Sequence, residues 1–193
     1  MTTLVLVVLI ALLLLLAGYF VVIYNGLVYL KHSYKKSWSN IDVLLVQRND
    51  ELPKLVEVCK QHMQFEQVTL ERVMAARSGA NIAREKGDVA AVGKTESVIR
   101  SALGTITATI EAYPTLKSDQ TIQNLMARIT GIENAIADRR EFYNEAVNLH
   151  NVRIEVFPDT IVAALTGFRA ADLLEFSEEQ KQDVDVKALF RSA

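Results

Sequence analysis

Charge is missing from the first thirty residues, and the other scarcities in this 193-residue chain are almost as informative. There is one cysteine, Cys59, which excludes an internal disulfide and a cysteine metal cluster. The histidines His32, His62 and His150 are far apart and make no H-x-x-x-H pair. Glu66 and Glu71 lack the E-x-x-H partner of a di-iron bundle. Gly79, Gly87 and Gly93 do not form a phosphate-binding loop. There is no G-x-S-x-G elbow, and Ser101-Ala102-Leu103-Gly104 reads as helix. No window alternates with period two, so no strand is expected. The net charge of −2 falls entirely after residue 30 and leaves no footprint for nucleic acid. These absences predict an all-α protein that is not an enzyme, with no catalytic residues, no cofactor and no metal site.

What is present begins with an apolar run. From Leu4 to Ile23 the sequence LVLVVLIALLLLLAGYFVVI is broken only by Gly18 and Tyr19. At about 1.5 Å per helical residue it spans the roughly 30 Å hydrocarbon layer of a bilayer. Insertion of each Leu, Ile, Val or Phe is favourable by about 0.3–0.6 kcal/mol. Residues 1–30 therefore read as a single transmembrane anchor, with the bilayer as first partner. A cleaved secretory signal fits less well. No Lys or Arg precedes the run, its apolar core is too long, and no A-x-A-like site follows it. The far side of the run opens with Lys31, His32, Lys35 and Lys36. The positive-inside rule puts this basic flank, and residues 31–193, in the cytoplasm, with the N-terminus outside.

The remaining residues suffice for one domain with a core of its own. The anchor helix is expected to continue through Tyr34, Trp38, Ile41, Leu45 and Arg48, and to break at Asn49-Asp50-Glu51-Leu52-Pro53. A kinked, continuous helix is the alternative there. A second helix follows, with Leu52, Leu55, Val56, Cys59, Met63, Leu70 and Val73 on one stripe. A third runs from about Asp88 to Ala112, with Val92, Ile99, Leu103, Ile106 and Ile110 aligned, and Tyr113-Pro114 ends it. In the fourth, Ile122, Ile129, Ile136, Tyr143, His150 and Phe157 recur every seven residues until Pro158. A heptad this long must lie against other helices, so residues 31–158 read as an antiparallel coiled bundle of three to four helices. Residues 159–193 read as a short docked helix, TIVAALTGF, followed by an acidic tail over 172–185. A sharper alternative has TIVAALTGF touch lipid or a partner, although so short a run cannot span a bilayer.

Four segments carry a family resemblance: YNGLVYL at 24–30, WSNIDVLLVQRNDELPKLVEVCK at 38–60, EAYPTLK at 111–117 and ENAIADRREFYNEAVNLHNVRIEVFP at 133–158. In this combination the chain resembles the LemA family. The resemblance implies an N-terminal membrane helix, a long helical bundle, bacterial origin and an inner-membrane location, and no established catalytic residues. It also points to the shaping of internal membranes and to membrane metalloproteases as neighbours. His150 departs from the family pattern, where Tyr is usual, and so does Gln47, where a second basic residue is common.

The structural or interaction residues singled out are Trp38, Asp42, Arg48, Pro53, Glu133, Asn134, Arg140, Tyr143 and Asn144. Charges inside a bundle must be paired, so the polar ones are read as interhelical contacts that fix register. An Arg48–carboxylate bridge, with Glu133 as partner, is the specific expectation. The functional expectation is a membrane-anchored scaffold or interaction protein. Self-association or a membrane-protein partner accompanies that role. An adaptor for a membrane protease or a signalling module is the alternative. Only three residues precede the run, which argues against a receptor for external ligands.

Overall fold

The structure, a computed structural model, describes residues 1–62 and 65–175. Six helices are found among them: α1 (Thr2–Lys60), α2 (Gln67–Lys86), α3 (Val89–Ala112), α4 (Pro114–Lys117), α5 (Gln120–Glu155) and α6 (Asp159–Thr166). The described residues contain no strand. Met63 and most of the acidic stretch expected over 172–185 lie outside the described residues.

The helix ends follow local chemistry. Gly87 closes α2 at φ 68°, the left-handed conformation a residue without Cβ takes cheaply. Its N–H donates to the Arg84 carbonyl at 2.9 Å and that of Asp88 to Ala83 at 3.0 Å. Asp88 then caps α3, its carboxylate accepting the Ala91 N–H at 2.8 Å. The two-residue turn lets α2 and α3 pack on one another. Pro114 occupies the first turn of α4, where its missing N–H costs nothing. Asp119 caps α5 by accepting from Thr121 at 2.8 Å and Ile122 at 3.1 Å.

Two compact units emerge, and α1 and α5 each contribute to both. The first unit is Met1–Val43 with Ile136–Leu173. Its core includes Ile23, Leu27, Val162 and Ala163, with Ile154 and Phe168 packed against them. The second is Leu44–Ala135 with the described residues from Leu174. Its core joins Leu52, Leu55 and Cys59 of α1 to Leu70 and Val73 of α2, Ile99 and Ile106 of α3, and Ile122 and Ile129 of α5. Each fully buried Leu or Ile there contributes about 1.5–3 kcal/mol.

Three expectations need correction. The break at Asn49–Pro53 does not occur, because α1 runs unbroken through Pro53 to Lys60. Proline deprives the carbonyl four residues earlier of its donor. That carbonyl belongs to Asn49, and Arg77 of α2 supplies a replacement, its Nε donating to the Asn49 oxygen at 2.7 Å. The stripe expected on one second helix is consequently divided, with Leu52 to Cys59 ending α1 and Leu70 and Val73 lying on α2. Both halves nonetheless reach the same core. Finally, the heptad of α5 buries Ile122, Ile129, Ile136, Tyr143 and His150 but not Phe157, which is 79% exposed. The helix ends at Glu155, so the period no longer dictates which way Phe157 points.

Candidate functional site

The second unit holds a buried ionic cluster. Arg48 is wholly enclosed, at 0% exposure, as is Glu96. The Arg48 guanidinium takes Glu96 in a fork: Nη2 donates to Oε1 at 2.6 Å and Nη1 to Oε2. Nη1 also donates to Glu133 Oε1 at 2.8 Å. Arg100 Nε lies 3.0 Å from the second Glu133 oxygen. Two cations and two carboxylates, drawn from α1, α3 and α5, thus form a neutral group. Burial works to lower the Arg48 pKa, but the hydrogen bonds and charges of Glu96 and Glu133 outweigh it and raise the value above its ordinary range. The chemistry this arrangement performs is ion pairing: Arg48 and Glu96 are fully enclosed, while Glu133 and Arg100, 16% and 22% exposed, carry the group to the edge of the core.

Further polar contacts join helices of the same unit, and Asn49 is hydrogen-bonded to Arg48 itself at 3.4 Å. The Asn49 side chain donates to Asn81 at 2.9 Å. Glu51, 6% exposed, accepts at Oε1 from Arg128 at 2.6 Å and from Lys54 at 3.0 Å. Cys59 is buried, and burial pushes its thiol up to about 12.

The first unit is organised by rings and backbone polar groups. Trp38 packs on Tyr143 at 5.4 Å between centroids, Tyr34 on His150 at 5.0 Å, and His150 on Phe168 at 6.2 Å. The extended segment after α6 is tied to α5 at three points. Tyr143 donates its hydroxyl to the Asp172 carbonyl at 2.8 Å. Asn151 both donates to the Ala171 carbonyl and accepts its N–H, each at 2.9 Å. His150 Nε2 stands 3.1 Å from the Arg169 carbonyl and, facing an acceptor, carries the proton. Burial, with the charges of Tyr34 and Asp172, pushes the Tyr143 hydroxyl up to about 12. Glu141 and Glu145 are exposed, and the described residues contain no group of three or more His, Cys, Asp or Glu able to hold a metal.

The nine residues singled out by sequence do not form one site. Arg48 and Glu133 meet in the ionic cluster of the second unit. Pro53 lies within α1 in that unit, and Asn134 is exposed on α5. Trp38 and Tyr143 stack in the first unit, where Asp42, Arg140 and Asn144 are half-buried. Glu96 and Arg100 were missed. Glu96 had a legible signal: it stands between Val92 and Ile99 on the apolar stripe of α3, at spacings of four and three. A carboxylate at such a position must find a buried cation.

Comparison with known proteins gives a consistent result. The model of the LemA family matches residues 37–188. The chain is 27% identical over 186 residues to the magnetosome proteins MamQ 1 and MamQ 2 of Paramagnetospirillum magneticum, covering 84% of this chain and 68% of theirs. It is 26% identical over 187 residues to the magnetosome protein MamQ of Magnetospirillum gryphiswaldense, with the same coverage.

Proposed function

This chain belongs to the LemA family, and from that premise we propose that it is a single-pass membrane protein whose helical body is a non-catalytic scaffold or interaction module. The observation that supports the anchor is the state of α1. Its side chains from Leu4 to Leu16 are all large and apolar except Ala11, and those large ones are at least half exposed. In water each would forfeit roughly 1.5–3 kcal/mol, and lipid recovers that loss. The non-catalytic reading is supported by the ionic cluster, whose charges neutralise one another inside the second unit. Relatives named as magnetosome proteins support a place for this chain at a cellular structure of that kind. The basic flank Lys31, Lys35 and Lys36 supports a cytoplasmic body.

Fractionation of cells expressing the full chain tests the anchor: it remains with membranes after alkaline carbonate and leaves them only in detergent. Recovery as a freely diffusing species defeats the proposal. Cross-linking before extraction then separates a scaffold, which captures its own copies, from an adaptor, which brings a stoichiometric membrane protein. Orientation is read with a membrane-impermeant maleimide on Ala193→Cys in a Cys59→Ala background. Labelling of intact cells reverses the assignment.

A further inference from the structure

We propose that α6 and the end of α5 lie in the membrane interface beside α1, so that the protein meets lipid through a second element as well as its anchor. The proposal rests on reading α1 as that anchor. What fixes α6 is its depth along α1. Val162 and Ala163 close over Ile23 and Leu27, which are 3% and 0% exposed. Ile23 ends the apolar run that starts at Leu4. At about 1.5 Å per residue, the run fills the roughly 30 Å hydrocarbon layer, so Ile23 marks its edge and Leu27 lies about 6 Å beyond, among headgroups. Whatever packs on these two residues shares their depth.

The other side of α6 has the wrong character for water. Ile161 and Leu165, four residues apart and on one face, are 52% and 73% exposed, and Phe157 leads into them. Val152 near the end of α5 and Val156 just beyond it are exposed as well. A helix apolar on both faces, one closed on protein and one open, is matched to lipid on the open face. Eight residues are too few to span, so α6 lies in the interface. Its buried carboxylate, Asp159, is neutralised by an ion pair with Arg153 and sets no unpaired charge against the acyl layer.

Cations border the same helix. Lys31 Nζ stands 5.5 Å from the centre of the Phe168 ring. Lys31 and Lys35 line a cleft of about 320 Å³ that Tyr24, Thr166 and Phe168 complete. Anionic headgroups are favoured there by about 1 kcal/mol per nearby Lys. An apolar face at the depth of the acyl boundary, bordered by cations, selects an anionic lipid surface as the occupant.

Depth quenching in nanodiscs of phosphatidylcholine and phosphatidylglycerol tests this on the full chain. An environment-sensitive fluorophore is placed singly on Leu13→Cys or Leu165→Cys in a Cys59→Ala background, and doxyl-labelled lipid is added. Should the background fold poorly by circular dichroism, Cys59 is retained and labelling is done natively, where its buried thiol does not react. The expected result is quenching at position 165 of the same order as at position 13, strongest with the doxyl group near the headgroup. Quenching at 13 without quenching at 165 overturns the interfacial helix and leaves the anchor intact. Loss at both positions overturns the anchor as well. A disulfide-linked dimer through position 165 assigns the face to a second copy and overturns the lipid contact.

Discussion

The two compact units solve one problem, the alignment of long helices, with different materials. The second uses charge: Arg48, Glu96, Glu133 and Arg100 lock three helices through ion pairs in a unit whose core is otherwise apolar, mostly Leu, Ile and Val. The first uses rings and neutral hydrogen bonds: Trp38 on Tyr143, Tyr34 on His150, and the ties from Tyr143, His150 and Asn151 to the segment after α6. An apolar stripe alone lets two helices slide by a turn at small cost, because Leu meets Leu in either register. A guanidinium that must meet a carboxylate fork, or a carboxamide that must meet one peptide, removes that freedom. The two devices differ in how they fail. A buried charge without its partner is strongly destabilising, whereas a lost neutral hydrogen bond is a modest loss.

This contrast can be broken most severely at Arg48. Arg48→Met leaves Glu96 and Glu133 without their principal cation, and is expected to cost about 3–5 kcal/mol in chemical denaturation of the detergent-solubilised chain. Arg48→Met with Glu96→Leu should regain most of that loss, and a double variant no better than the single one would show that the cluster is not a coupled pair. Next in size is Ile136→Asp, which buries an unpaired carboxylate at a position with 0% exposure. About 3 kcal/mol or more is expected, and an unchanged melting curve would remove Ile136 from the core.

Asn151→Ala probes the neutral device. It deletes both hydrogen bonds to Ala171 and should cost about 1–2 kcal/mol, with faster amide exchange confined to the segment after α6. Protection unchanged at Ala171 would mean that rings alone hold that segment. Asn148→Asp, on an exposed position of the same helix, is expected to shift stability by less than about 0.5 kcal/mol.

The smallest effect at neutral pH comes from the two raised acids, one in each unit. Cys59 and Tyr143 are both pushed up to about 12, from ordinary values of 9.0 and 10.0. Their ionised forms are disfavoured in the fold, so native stability is unaffected below about pH 9 and falls as pH rises from there through 12. Cys59→Ala should flatten the earlier part of that fall and Tyr143→Phe the later part. Identical alkaline curves for all three proteins would show that neither group titrates with folding.

Much of the fold was legible along the chain. The uncharged run and the helical periods of the segments that became α3 and α5 are local features, and those helices follow from them. The ionic cluster was half legible. Arg48 and Glu133 stand out as charges on packing helices, and the structure pairs them at 2.8 Å. Glu96 could have been found by asking why a carboxylate interrupts the stripe of α3. Its bidentate hold on Arg48 could not, because that requires the distance between two helices. The scatter of the nine chosen residues over two units has the same origin, since a linear motif at 38–60 runs along one helix that serves both.

By itself the sequence determined membership of the LemA family, the helical class and the position of the apolar run, since each depends on composition and spacing along the chain. Tertiary structure decided that α1 passes through Pro53. Proline leaves the Asn49 carbonyl without its intrahelical donor, and where the fold buries it Arg77 of α2 replaces that donor. It also decided that α6 packs at the depth of Ile23 and Leu27 with a second apolar face turned outward. Depth is a relation between helices distant in sequence, and no local preference encodes it.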